Sequence, residues 1–298
     1  EKSQEGGNEE WLQKGTQTEE EPAEVKRARG PYRARSAKTK ITAVARRKAM
    51  HIHKQYKHIP YTTLASNRRS GAMVCDEEVT AEVFDDLARR KECIQCAVTR
   101  WSQPRRGVTP GTRRYSVGAT FALNYQGPIT PPSMGMTGFV LIEDLGSGYY
   151  EVYGVKSKTQ VINCVRKWMA LMMSYGHRPR EARHDSGSVE IGQAFERAVR
   201  TMGVRPIQTP EHIPEKRVER LAQTVMNDIQ TGIMVTPAFS AKDWLPTASG
   251  MADIRSMLTT EASEQHGAGV TPFELITGRR PSTEDVERAT WGDVVVVT

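Results

Sequence analysis

Residues 115–155 read YSVGATFALNYQGPITPPSMGMTGFVLIEDLGSGYYEVYGV, and the order of the remaining chain follows from how this stretch divides. Three β-rich runs, 116–125, 138–145 and 149–155, are separated by Gly, Pro, Ser and Thr, which predicts three short strands in an antiparallel meander. The next segment, TQVINCVRKWMALMMSYG (159–176), repeats apolar residues at three- and four-residue steps and ends on Gly176, so it reads as a helix. PREARHD (179–185) is a strand, VEIGQAFERAVRTMG (189–203) an amphipathic helix ended by Gly203, and VRPIQTP (204–210) another strand. PEKRVERLAQTVMNDIQTGIM (214–234) is a long helix with Pro214 at its entry. Strands in a meander, then alternating helices and strands, describe an α/β layered domain.

The N-terminal part has a different texture. ITAVARRKAMHIHKQY (41–56) and VTAEVFDDLARRK (79–91) carry helical spacing, so residues 41–100 are expected to form a small helical module. Residues 101–114, rich in Pro, Gly and Arg, read as a basic linker, and residues 1–40 as a disordered leader, acidic over 1–24 and basic from 26 onward. The chain has 298 residues, 38% hydrophobic and 26% charged. Its mean hydropathy of −0.56 implies long solvated stretches. It contains no run of eighteen apolar residues and no apolar signal-like segment after Glu1, so neither a membrane span nor secretion is expected. A net charge of +7 points to a polyanionic partner, nucleic acid first, with 26–49 and 104–114 as non-specific contacts.

Four cysteines (Cys75, Cys93, Cys96, Cys164) are too few and too irregular for a disulfide scaffold. Cys93 and Cys96 form a C-x-x-C pair, and His53 and His58 are separated by four residues. Each spacing can aim two ligands at one ion, and together they offer the four nitrogen and sulfur donors of a structural Zn²⁺ site, with His51 a rival for the first position. A second constellation is spread over the α/β part. Asn124 ends the first strand, Asp185 lies 61 positions later before a Gly-containing turn, and Glu219 stands 34 positions after that in the first turns of the long helix. Oxygen donors at strand tips and on a helix beside the sheet can hold hard divalent cations, which stabilise an in-line phosphoryl displacement.

Over residues 45–298 the chain resembles a Ty1/copia-type retrotransposon integrase. The family's H-x4-H and C-x-x-C module is matched by His53, His58, Cys93 and Cys96. Its D-x-x-G-P is met by N-Y-Q-G-P (124–128), its D-N-G-x-E by D-S-G-S-V-E from Asp185, and its final motif by Glu219 followed by Arg220. Downstream, GVTPFELITGRRP (269–281) and WGDVVVV agree with the family's tail. The resemblance implies a ribonuclease H-like catalytic core over 115–280, with a mixed five-stranded sheet flanked by helices, and the start of a C-terminal segment at 281–298. It implies Mg²⁺ (or Mn²⁺) held by Asp185 and Glu219, with Asn124 in the first-acid position. It also implies 3′-end processing of element cDNA, strand transfer into double-stranded target DNA, a homo-oligomer, and residence in the nucleus and cytoplasm. Lys216, Arg217 and Arg220 are expected to hold phosphates beside the acids. Two departures stand out: Asn124 replaces an Asp, which predicts greatly reduced strand transfer, and the family's Asn-Gly before the final Glu is Glu215-Lys216 here. Asp144 on the second strand is a weak substitute for the missing acid. The alternative reading is a catalytically silent, integrase-derived nucleic-acid-binding module.

Overall fold

The computed structural model describes residues 41–73, 75–90, 92–93, 96, 115–185, 189–209, 216–235 and 239–289. The leader 1–40, the linker 101–114 and the last nine residues, 290–298, lie outside the described residues. Three helices come first: α1 (Ala43–Gln55), α2 (Tyr61–Ser70) and α3 (Ala81–Arg90). The Thr42 hydroxyl caps α1 by accepting from Ala45 N at 3.0 Å, which satisfies one of the amides a helix start leaves unpaired. On α3 the apolar positions Val83, Phe84 and Leu87 are almost fully buried, as its amphipathic spacing requires. These helices do not close their core alone. Leu64, Phe84 and Leu87 cluster with Met251, Ile254, Met257 and Leu258 from the C-terminal half of the chain.

The meander appears as β1 (Thr120–Gln126), β2 (Gly138–Asp144) and β3 (Tyr150–Val155). There follow α4 (Val161–Ser174), β4 (Glu181–Asp185), α5 (Val189–Thr201), β5 (Arg205–Thr209) and α6 (Lys216–Val235). The order across the sheet is β3-β2-β1-β4-β5. β1 pairs antiparallel with β2 and parallel with β4, and β5 extends the parallel half. This is the mixed five-stranded sheet expected of a ribonuclease H-like core. Helices α4 and α5 end where Gly176 and Gly203 take positive φ (83° and 76°), the conformation that lets a chain leave a helix without a Cβ clash. β1 begins later than the sequence suggests. Residues 117–119 form a turn because the Asp144 carboxylate fixes the Gly118 amide at 3.0 Å.

Alternate residues of β1 serve opposite layers. Phe121, Leu123 and Tyr125 belong to the core with Trp168 of α4 and Val199 of α5. Ala122 packs with Val218, Ala222 and Val225 of α6. Trp244, which starts α7 (Trp244–Ser256), joins this second layer and lies 6.1 Å from the ring of Phe139. Shorter helices α8 (Glu261–Glu264), α9 (Pro272–Thr277) and α10 (Thr283–Ala289) complete the chain's described part. Among the described residues no helix is long and apolar enough to cross a membrane.

Candidate functional site

The first site forms where α1 ends. Lys57 and His58 both take left-handed backbone angles (φ 46° and 61°), and the His58 amide donates to the His53 carbonyl at 2.9 Å. That reversal returns the second histidine to the first. The Nδ1–H of His53 donates to the Ile59 carbonyl at 2.9 Å, so its Nε2 lone pair faces the cluster, while the ring stacks on Tyr61 at 4.0 Å. His58 Nδ1 lies 3.1 Å from His53 Nε2 and 3.2 Å from Cys93 Sγ. Cys96 Sγ lies 3.3 Å from His53 Nε2 and 3.6 Å from His58 Nδ1.

All four donor atoms fall within 4.8 Å of one another. A tetrahedral zinc ion with ordinary Zn–N and Zn–S bonds has ligand edges of about 3.3–3.8 Å, so the donor set fits the metal in both chemistry and spacing. Burial lowers the pKa of His53, which keeps the imidazole neutral as a ligand must be. Cys93 is held well below the usual thiol range, first by its hydrogen bond with Cys96 and then, against burial, by the two histidines. The buried cluster of two histidines and two cysteines can hold a metal ion. His51, the rival first ligand, is exposed on another face of α1 and takes no part in the cluster.

The second constellation lies at the carboxyl ends of the parallel strands. The ladder between β1 and β4 pairs Thr120 with Glu181, Phe121 with Ala182 and Ala122 with Arg183. Continued by two residues, that register brings Asn124 level with Asp185. β4 pairs with β5 over its whole length, ending with Asp185 opposite Thr209, so beyond Arg183 only β5 holds it and the ladder to β1 is lost at this end. Asn124 is half-buried, and its Oδ1 accepts a hydrogen bond from Gln126 Nε2 at 2.8 Å. It shares the face of Ala122, the one covered by α6. The Asp185 side chain lies outside the described residues. Glu219 is exposed on the first turn of α6, beside the buried Val218 that holds the helix to the sheet.

Arg217 differs from its expected phosphate-holding role. Its Nε and Nη2 reach Glu143 Oε1 at 2.7 and 2.6 Å, and Nη1 donates to the Leu145 carbonyl at 2.9 Å. The guanidinium therefore ties the start of α6 to the end of β2 and is committed within the fold. Arg220 is exposed, and the side chain of Lys216 lies outside the described residues. Asp144 does not replace the missing acid. It is buried and held by the Gly118 amide and by the amide and hydroxyl of Ser147, and it stands opposite Phe121, whose side chain belongs to the other layer. Burial raises its pKa, only partly offset by the Ser147 and Gly118 donors. No motif in the chain marks the Glu143–Arg217 tie. Only a buried acid on β2 and a basic residue at the start of α6, 74 positions apart, could have suggested it.

No family model and no curated protein matches the chain. Among solved structures, it is similar to a chain of the cryo-EM structure described as the simian T-cell lymphotropic virus intasome in complex with the PP2A regulatory subunit B56 gamma. The identity is 16%, the TM-score 0.50, and the match covers 78% of this chain and 74% of the other. At that identity the similarity is one of fold: an integrase-like α/β arrangement.

Proposed function

We propose that the chain is an integrase-class polynucleotidyl transferase of the Ty1/copia type, built from a zinc-holding helical module over 41–100 and a catalytic core over 115–280. The observation that carries the reading is the parallel β1–β4 ladder, which runs to Ala122 and Arg183, two residues short of Asn124 and Asp185, with α6, the helix of Glu219, packed on the face that Asn124 shares with Ala122. The integrase-like fold supports it. In this reading the substrates are the cDNA ends of a retroelement and double-stranded target DNA, the working form is a homo-oligomer, and the setting is the nucleus and cytoplasm. His53, His58, Cys93 and Cys96 hold Zn²⁺.

Divalent ions, when bound, neutralise charge on the phosphate under attack. Asp185 and Glu219 would hold them. Asn124 contributes a neutral amide oxygen already engaged by Gln126, so the set carries two negative charges where three acids would carry three. That donor set suits one Mg²⁺ better than two. Arg217 positions the turn that carries Glu219, and Arg220 and Lys216 would hold phosphates of the substrate. The Asn124–Gln126 bond also favours the second reading, a module that binds DNA but transfers strands poorly. A strand-transfer assay with Mg²⁺ or Mn²⁺ separates them. Native chain that integrates as fast as the Asn124→Asp variant contradicts the weakened-acid reading. Activity that survives Asp185→Asn and Glu219→Gln together contradicts the site.

A further inference from the structure

The connection between β1 and β2 places an apolar side chain where its backbone disfavours one. Ser133 and Met136 exchange both backbone hydrogen bonds, at 3.0 and 2.8 Å, and the two residues between them have positive φ, 51° at Met134 and 76° at Gly135. Positive φ at both central residues defines a type I′ turn, whose first position suits Asn, Asp or Gly. Methionine gains nothing there locally, yet Met134 is 78% exposed at the tip with Pro132 exposed beside it. An outlier of this kind points to a task outside the fold.

The turn is rigidly mounted. Trp244 Nε1 donates to the Pro131 carbonyl at 3.0 Å, Leu245 N to Ser133 Oγ at 3.4 Å, and Ile129 N to the Thr137 carbonyl at 2.7 Å. The finger rises from the carboxyl end of β1, the end that carries Asn124. At the same end the chain leaves β3, where Thr137 N donates to Val155 O at 3.0 Å. Lys156 and Lys158 follow directly, both exposed, and Lys158 Nζ sits 5.2 Å from the ring centre of Tyr125. Among the described residues neither lysine has an acidic partner.

A fixed apolar tip beside two uncompensated cations matches a partner with an anionic rim and stacked apolar layers. We propose that Met134 is a wedge that enters a base step of duplex DNA while Lys156 and Lys158 seat the neighbouring phosphates. The thioether is polarisable enough to pack on a base face, and apolar wedges of this size unstack and kink a duplex. The inference rests on the nucleic-acid reading above and deepens it.

The deciding variant is Met134→Asn, because Asn suits the turn better than Met does and folding is not at risk. The full chain is titrated against an end-labelled DNA duplex, and in parallel against heparin, a polyanion without bases, over a range of salt. Met134→Asn is expected to keep or raise the melting temperature, to weaken duplex binding about tenfold, as losing a base-stacking contact does, and to leave heparin binding and the salt slope unchanged. Lys156→Gln and Lys158→Gln are expected to lower the salt slope by about one each. Equal duplex affinity in Met134→Asn and native chain overturns the wedge, as does an equal loss on heparin. Native chain that binds no duplex at low salt removes the underlying functional reading, and the wedge with it.

Discussion

The two candidate sites are held together in opposite ways. In the cluster of two histidines and two cysteines, four donors already stand at the spacing of a coordination shell, because one left-handed turn returns His58 to His53 and Cys93 and Cys96 are only three positions apart. At the sheet end the donors come from two strands and a helix, Glu219 is exposed, and the Asn124 amide is turned to a neighbour of its own strand. A site that exists to hold the fold can be complete and buried. A site that must admit phosphate and a cation has to leave donors open, and its geometry depends on how three elements are fixed to one another. The Glu143–Arg217 tie is one such fixture.

The largest effect should come from breaking the complete site. Stripping zinc with a chelator, or the Cys93→Ser substitution, leaves a buried histidine pair and a thiol with no cation between them. Structural zinc sites contribute several kcal/mol or more to folding. Because α1, α2 and α3 share their core with Met251, Ile254 and Met257, the loss spreads into the C-terminal helices. A drop of more than about 10 °C in the melting temperature is expected, with lost helical signal in circular dichroism. A zinc content of one ion per chain with unchanged melting after its removal would reduce the cluster to an incidental binder.

The fixture at the sheet end comes next. Arg217→Met takes the guanidinium, which holds Oε1 through both Nε and Nη2, from a Glu143 side chain that is only 5% exposed. Breaking such a pair from one side costs about 3 kcal/mol, which urea unfolding can measure. Activity should fall with it, since Glu219 sits two residues further along α6. Replacing both partners, Glu143→Leu with Arg217→Met, should recover most of the stability and little of the activity. If the double variant regains both, α6 is positioned by its apolar face alone.

Asn124→Asp sharpens the comparison from the other side, by adding charge to the incomplete site. Removing an electrostatic stabiliser of a transition state commonly costs on the order of 100-fold in rate, and restoring one should return a similar factor in strand transfer. The change is isosteric, so melting should move little without a divalent cation and rise when Mg²⁺ is added. A rate that stays flat while Mg²⁺ binding tightens would mean the site has decayed elsewhere, with the Glu215-Lys216 departure the next place to look.

How much of this could be read from the chain alone follows the same division. The strands and helices of the sheet were legible because their apolar residues alternate or recur every three to four positions, and Gly176 and Gly203 mark helix ends by a backbone need that a single letter encodes. His53, His58, Cys93 and Cys96 were legible because short spacings imply short distances. The choice of His53 over His51 was not, since it depends on which face of α1 turns to the Ile59 carbonyl. Arg217 was misjudged for a similar reason. A basic residue beside a candidate acid looks the same in sequence whether it faces solvent or a buried Glu143. The shared core of α1, α2 and α3 with α7 joins residues far apart in the chain, and periodicity carries no information on which two apolar faces meet.

The smallest effect contrasts two ways of setting a protonation state. In the histidine–cysteine cluster, neighbours lower the pKa of Cys93, whereas on β3 burial works against charge. Glu151 is raised to about 7, first by burial and further by the charge of Asp253, although the Tyr149 hydroxyl donates to it. A carboxyl whose pKa is higher in the folded than in the unfolded chain binds more protons when folded. Stability therefore falls as pH rises from the ordinary glutamate value toward 7, and the loss is complete above that. Glu151→Gln keeps an acceptor for Tyr149 and removes the titration. It should stabilise the chain by about 1–2 kcal/mol at pH 8, change little at pH 4.5, and flatten the pH dependence between those limits. Thermal melts of the zinc-loaded protein across that window decide it. A variant whose stability tracks the native chain at every pH would mean that Glu151 stays charged in the folded state and that solvent reaches β3 at that position.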